Sequence, residues 1–420
     1  DILEVVMKVK ELLTQPIIIN KTREHITFKI GIMEYKDSDL VLEVSKNVNP
    51  VVWDEGFFQN FFDMLFGKRN YQKEAAETAL RFLNSGEYKD ITALAKENFE
   101  KNPVIRARWN NDFNLMQDDL DLSDKLSATL DLATGTGKSY VMFAIALVML
   151  ATKKVSRVLV LVPSVTIESE LTQKFKDLLG NQQLLKTLGD NFVPPQILNG
   201  DSTLVENSIA IENRNAIYKA QSARNSIVDS LKGNGEKTLV LNDEVHHVYY
   251  SETNEWKNFI EDERSNNINF KYVIGVTGTA YKGKNKSGND YFSNVIYRFS
   301  LRDAIEQGFV KDIEYISKED IPKEKDERWQ VILNSHNQIA SQVPEELGIK
   351  PITIIVTSKQ TLADSQAKAF KKFLKIQRNL TDAEVNDIVL SVHSGQKAAI
   401  DRMKLSKVNE KGNLVEFIFS

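Results

Sequence analysis

The sequence predicts an α/β protein built on parallel sheets that helices cover on both faces. Three observations carry this. Short runs dense in Val, Ile and Leu recur at residues 126–132, 158–162, 238–241, 272–276, 352–356, 388–392 and 414–419. They are near-continuously apolar, as a strand buried on both faces requires, whereas a strand with one wet face would alternate. A helical pattern follows each run, and strands alternating with helices imply crossover connections in a doubly wound sheet.

Size and composition set the frame. At ~150 residues per domain, 420 residues make about two to three domains. Hydrophobic residues at 42% and charged residues at 27% argue for a packed core rather than disorder. A net charge of -4 and a pI near 5.9 exclude a strongly basic coat protein. They leave nucleic acid open as a ligand, because a local basic groove can sit on an acidic chain. With no cysteine, disulfides, thiol catalysis and cysteine-bearing zinc or iron–sulfur sites are excluded. The five histidines are scattered apart from the pair His246 and His247.

No run approaches the ~20 apolar residues of a spanning helix, and the opening DILEVVMKVKELL lacks an export signal's basic start and cleavage site. The expectation is a cytoplasmic protein without a membrane partner. A first residue of Asp rather than Met reads as a piece of a longer chain.

Taken in order, residues 1–67 carry alternating runs (HITFKIGIMEY, LVLEVS) that predict antiparallel strands of a small, separate N-terminal α+β domain of unassigned role. Residues 68–316 form the first α/β domain. Within it, about 85–125 read as an acidic insertion, a solvated excursion around DFNLMQDDLDLSD; a charged loop accounts for those aspartates more simply than a metal site. Residues 317–345, containing the charge-dense SKEDIPKEKDERW, read as a linker, and 346–420 open a second α/β domain.

The strongest chemical signal is DLATGTGKSYVMFAIAL at 131–147, a strand, a glycine-rich turn and an apolar helix. Glycines at 135 and 137 let backbone N–H groups of Thr134, Gly135, Thr136 and Gly137 face phosphate oxygens. Lys138 reaches the β- and γ-phosphates, and the Ser139 hydroxyl ligates Mg²⁺. The helix N-terminus adds partial positive charge. The strict G-x-x-x-x-G-K-[ST] pattern wants glycine at 132, where Leu132 stands; A-x-G-x-G-K-S is the variant typical of helicase-like ATPases.

A second signal is TLVLNDEVHH at 238–247. An apolar strand ending in two carboxylates delivers them to the sheet edge where ligands bind in open α/β folds. Asp243 is the candidate Mg²⁺ ligand, Glu244 the group that orients and deprotonates water, and His246 the link to a neighbouring lobe. Zinc on His246 and His247 is disfavoured, since adjacent side chains of an extended segment point opposite ways.

These motifs, in this order, resemble superfamily 2 helicases and translocases. Arg69-Asn70-Tyr71-Gln72 resembles the adenine-reading segment, with Gln72 on the base edge. Leu161-Val162-Pro163-Ser164 resembles a segment touching the nucleic-acid backbone, and Thr277-Gly278-Thr279-Ala280 the motif coupling hydrolysis to strand movement. LVLNDEVHH and FSLRDAIEQGFVKDIEY look most like the restriction subunit of type III restriction-modification enzymes. The resemblance implies tandem RecA-like domains, the second incomplete. It implies ATP and Mg²⁺ as cofactors, DNA (duplex favoured) as partner, and a modification subunit bearing a methyltransferase. Family arginines that complete the ATP site from the second lobe, and a C-terminal nuclease domain, have no counterpart in 1–420.

The reading is therefore an ATP-dependent DNA motor. An RNA helicase, or a nucleotide-gated binding module without turnover, stays open beside it. Lys282, Lys284 and Lys286 in AYKGKNKSG suggest a flexible basic loop touching nucleic acid, with a solvated loop as the plain alternative.

Overall fold

The computed structural model describes residues 17–19, 22–24, 40–199, 203–213, 226–249, 255–261, 267–285, 288–310, 322, 324–342, 350–393, 399–406, 408 and 412–420. The chain divides into two compact units, Asp1–Asp312 and Ile313–Ser420.

In the first unit, β1 (Ile17–Ile19) and β2 (Thr22–Glu24) form an antiparallel pair. The run HITFKIGIMEY lies outside the described residues. Residues 40–66 do not stand apart as a domain. Leu42, Val44, Trp53, Phe58, Phe61, Phe62 and Phe66 are buried in one core with the main sheet, and the Leu42 N–H donates to the Val295 carbonyl at 2.7 Å. The aromatic residues at 58, 61, 62 and 66 fall on one helical face, so α1 (Gln59–Phe66) buries them together. The helix α2 (Asn70–Asn84) follows, with Ala75, Ala76 and Ala79 fully buried.

The acidic insertion is likewise packed rather than solvated. It folds into α3 (Ile91–Lys101), α4 (Pro103–Arg108) and α5 (Phe113–Asp118). Ile91, Leu94, Ala95 and Phe99 recur at helical spacing and join the core with Ile105, Trp109 and Met116. Several polar residues cap helices: Asp90, Asn102 and Asp112 accept from the N–H groups of Ala93, Val104 and Asn114.

Next come β3 (Leu126–Leu132), α6 (Lys138–Ala151), β4 (Arg157–Val162), α7 (Val165–Leu179), β5 (Gln196–Asn199), β6 (Ser208–Asn213), β7 (Thr238–Asp243), the short α8 (His246–Tyr249) and β8 (Tyr272–Thr277). An antiparallel hairpin, β9 (Tyr281–Asn285) and β10 (Gly288–Tyr291), leads to β11 (Val295–Phe299) and α9 (Leu301–Glu306). Seven strands pair in the order β11-β3-β8-β7-β4-β6-β5, every neighbour parallel. That is the expected α/β class. Parallel strands end at one edge, so the turns after β3, β4, β7 and β8 gather there. The helix α6 is apolar all round and buried from residue 141 to 150, as a helix in the interior must be.

The second unit comprises α10 (Lys325–Gln342), β12 (Thr353–Ile355), α11 (Gln360–Arg378), α12 (Asp382–Ile388), β13 (Val389–Ser391), α13 (Ala399–Ser406) and β14 (Phe417–Phe419). Its three strands are parallel in the order β12-β14-β13. The segment read as a linker contributes α10, whose Trp329 and Leu333 are buried with Phe370, Phe417 and Phe419. These apolar residues give that charge-dense stretch a core to bind. Among the described residues no helix is long and apolar enough to cross a membrane.

Candidate active site

The turn between β3 and α6 has the backbone its sequence calls for. Gly135 and Gly137 take φ of 85° and 80°, which L side chains rarely adopt. The Thr136 hydroxyl donates to the Ala133 carbonyl at 2.5 Å, closing the turn from inside. From α2, the Tyr71 hydroxyl and the Gln72 amide both donate to the Thr136 carbonyl, at 2.9 and 2.6 Å. The Tyr71 ring stacks on Phe299 with centroids 4.1 Å apart and meets the Phe309 edge at 4.8 Å. Thr134 and Gly135 stay exposed. A cavity of about 380 Å³ opens against this loop, lined by Gly135, Gly137, Lys138, Ser139 and Asp243. A larger one, about 560 Å³, lies at the opposite sheet edge around Ser156, Asn207 and Lys237, away from these groups.

Asp243 lines the same cavity, and Glu244 is joined to it through Lys138. Lys138 Nζ lies 2.8 Å from Glu244 Oε1. Glu244 has a φ of 49°, the left-handed region; a non-glycine residue is held there at a cost of order 1–3 kcal/mol, a strain concentrated at functional sites. Burial raises its carboxyl, but the bond and charge of Lys138, with His246 behind them, hold it below the ordinary value. Burial, and then the neighbouring Glu244 charge, push Asp243 up to about 6. Asp243 Oδ1 is buried without a hydrogen-bond partner.

Asp243 and Ser139 line the same cavity, and a carboxylate with an unpartnered oxygen together with a hydroxyl suits a hard divalent cation. Among the described residues no three carboxylate or imidazole groups are arranged to hold a metal ion by themselves. A cation would thus share one carboxylate, one hydroxyl and the ligand's own phosphates, the manner in which Mg²⁺ is usually held.

Behind the pair, His246 Nδ1 lies 2.8 Å from Thr277 Oγ1 and 3.5 Å from Glu244 Oε2, and the Thr277 hydroxyl lies 3.3 Å from that same oxygen. The Thr279 N–H donates to Thr277 Oγ1 at 3.0 Å. Burial first, then His247, lowers the His246 pKa against the pull of Glu244. A Cβ at Gly278 would stand 2.7 Å from the Thr134 hydroxyl oxygen, so only glycine lets this turn abut the phosphate loop.

The sequence-read positions therefore divide. Gly135, Gly137, Lys138, Ser139 and Asp243 share one cavity wall, with Glu244, His246 and Thr277 linked to it. Three assignments need correction. Thr277 is fully buried and faces Glu244 and His246, so it is not free to touch a nucleic-acid backbone. Gln72 is buried with its amide on the loop carbonyl rather than presented for a base edge. Lys282 is not on a flexible loop: it stands in β9, 2.5 Å from Asp121, with 8% of its side chain exposed. The side chains of Lys284 and Lys286 lie outside the described residues. The argument from an extended His246–His247 also fails in its premise, since both sit in α8 with rings 4.2 Å apart. Ser164 caps α7, accepting from the Ile167 N–H at 3.3 Å, next to half-buried Pro163; Thr279 is exposed.

Sequence reasoning missed Glu170 and Lys174, which also line the cavity. Their signal was there: Ile167, Glu170, Leu171 and Lys174 fall at i, i+3, i+4 and i+7 on α7. Lys174 Nζ sits 4.1 Å from the centroid of the Tyr140 ring, and burial lowers its pKa.

Residues 66–282 match the family model described as type III restriction enzyme, res subunit. No curated protein matches the chain. Among solved structures, the UvsW helicase from bacteriophage T4 is 15% identical over 44% of this chain and 58% of that one, with a TM-score of 0.27. The ATP-dependent type ISP restriction-modification enzyme LlaBIII bound to DNA is 14% identical over 83% and 24%, with a TM-score of 0.44. The Mycobacterium smegmatis helicase Lhr bound to single-stranded DNA and AMP-PNP is 12% identical over 79% and 42%, with a TM-score of 0.45. The chain thus spans only part of each of these proteins. The family match covers just over half of the chain and takes in the glycine-rich loop, the acid pair and Thr277–Thr279; this protein belongs to the res-subunit family of type III restriction enzymes.

Proposed function

We propose that this chain is the motor part of a type III-like restriction or phage-defence enzyme, hydrolysing ATP to move on duplex DNA, in the cytoplasm and alongside a modification subunit. The observation that carries the reading is one cavity wall bearing Lys138, Ser139 and Asp243, with Glu244 held by Lys138 at 2.8 Å. Family membership supports ATP as the nucleotide.

In this mechanism the loop N–H groups and Lys138 bind the phosphates; Asp243 and Ser139 would hold Mg²⁺, which would supply charge to offset that of the phosphates. When Lys138 turns to phosphate, Glu244 loses the partner that depresses its pKa and becomes a stronger base for the attacking water. Thr277 passes the change to His246 and Thr279. Thr279, Pro163 and Ser164, after β8 and β4, are the proposed strand contacts. Residues 346–420 are the proposed start of the second RecA-like lobe, 68–316 being the first.

The test is steady-state ATP hydrolysis without nucleic acid and with duplex DNA, single-stranded DNA or single-stranded RNA. Strongest stimulation by duplex DNA is expected. Stimulation mainly by RNA overturns the DNA assignment, and nucleotide-dependent binding with no turnover, in a form extended past Ser420 that carries the family's arginines, overturns the motor.

A further inference from the structure

Lys282 is buried in a place that the reaction described above does not use. Its Nζ is 2.5 Å from Asp121 Oδ2, with 8% and 14% of the two side chains exposed. The same ammonium stands 5.4 Å from the Tyr249 ring centroid and 5.3 Å from that of Phe292, and these rings meet edge to face at 5.4 Å. An ammonium desolvated between two aromatic faces and a carboxylate is held by cation–π attraction and charge together. Burial alone would lower its pKa, but Asp121, with Asp119 and Asp290 behind it, keeps it above that of an ordinary lysine.

Three segments meet at this point. Asp121 belongs to the inserted segment, just past α5, and Asp119 there accepts from the Ser293 hydroxyl. Tyr249 is the last residue of α8, whose first residue is His246. Lys282 is the second residue of β9, which leaves the Thr277–Thr279 turn directly; the Tyr281 N–H donates to the Thr279 carbonyl at 2.8 Å and the Phe292 N–H to the Ala280 carbonyl at 3.3 Å. The ammonium therefore ties the far ends of the two segments whose near ends carry His246 and Thr277.

We infer that Lys282 is a positioning residue for hydrolysis: clamped by Asp121, it fixes α8 and β9 so that His246 and Thr277 stay on Glu244. The insertion thereby becomes a built-in brace for the catalytic carboxylate. The effect on turnover rests on the ATPase reading above; the brace itself does not.

The experiment uses the full chain with Lys282→Met, and with the double variant Asp121→Asn/Lys282→Met, which strands no buried carboxylate if the single variant folds poorly. The expected result in a folded variant is a ~10-fold lower kcat with unchanged KM and unchanged affinity for a non-hydrolysable ATP analogue. Hydrogen exchange should rise by ~10-fold at residues 244–249 and 277–285 but not along 138–151. Wild-type kcat and exchange in the folded double variant overturn the inference. So does loss of analogue binding in step with exchange everywhere, which would mark Lys282 as general core. If the wild-type chain hydrolyses no ATP, the exchange pattern alone decides the brace.

Discussion

Each unit of this protein carries a histidine, a threonine and a glutamate in hydrogen-bonding reach, and the two groups are put to different ends. In the first unit His246 meets Thr277 at 2.8 Å and Glu244 at 3.5 Å. In the second, His336 meets Thr353 at 3.0 Å and Glu416 at 3.1 Å. What differs is the cation. Glu416 takes Arg378 at 2.7 Å, and that guanidinium also reaches Asn337, while the His336 ring packs on Phe417 at 4.4 Å. Glu244 takes Lys138, a flexible ammonium at the rim of a cavity, beside a second carboxylate whose Oδ1 is unpartnered. A planar guanidinium held on two sides is a staple; a lysine that a phosphate can draw away is an exchangeable partner. The residue types are shared, and function follows from whether a partner can leave.

The largest effects should come from breaking the exchangeable group. Glu244→Gln is expected to lower kcat by ~10³-fold while keeping nucleotide affinity, because it removes the base but leaves the phosphate contacts. Lys138→Ala should do the reverse in kind, weakening binding of a non-hydrolysable ATP analogue by ~100-fold. Titration of the analogue against each variant separates the two. Unchanged affinity in Lys138→Ala would remove the phosphate-loop assignment.

Breaking the staple should cost stability instead. Burial raises the Glu416 carboxyl, but His336 and Arg378 bring it down to about 2 from 4.5. Because the folded value lies below the unfolded one, this stability is present above pH 4.5 and is lost as the pH falls toward 2. Glu416→Gln should therefore reduce the unfolding free energy by about 3 kcal/mol at pH 7. In urea titrations the gap to wild type should close between pH 4.5 and 2, with analogue affinity unchanged at neutral pH. A gap constant across that range would mean that the carboxylate charge is not what holds the second unit.

Legibility followed the range of the determining contacts. The proposed phosphate loop is contiguous: Gly135, Gly137, Lys138 and Ser139 are neighbours in sequence and on one cavity wall, and the apolar strands announce themselves by composition. The acid pair was readable because it ends a strand. Thr277 was readable as a motif but not as a buried hydroxyl, since its contact with Glu244 arises from the register that sets Asp243 of β7 opposite Val276 of β8. The insertion misled because the aspartates of DFNLMQDDLDLSD stand out in its sequence while Leu94, Phe99 and Met116 are buried in the main core. Lys282 looked solvated because the carboxylate that buries it lies far upstream, at Asp121. Residues 40–66 look like a separate piece until Phe61, Phe62 and Phe66 are seen in the main core.

The smallest expected effects give the sharpest test, because the same change can be made in both groups. Thr277→Val keeps the shape of a fully buried side chain and removes the hydroxyl that links Glu244, His246 and the Thr279 N–H. A ~10-fold fall in kcat is expected, the size of one hydrogen bond to a charged group, at unchanged nucleotide affinity. Thr353→Val removes the matching hydroxyl from His336 and should cost about 1 kcal/mol of stability without altering nucleotide affinity. Paired urea unfolding and turnover measurements decide between them. If Thr277→Val lost only stability, its hydroxyl would be a second staple, and the coupling between Glu244 and the Thr277–Thr279 turn would have to run through the backbone of β8 instead.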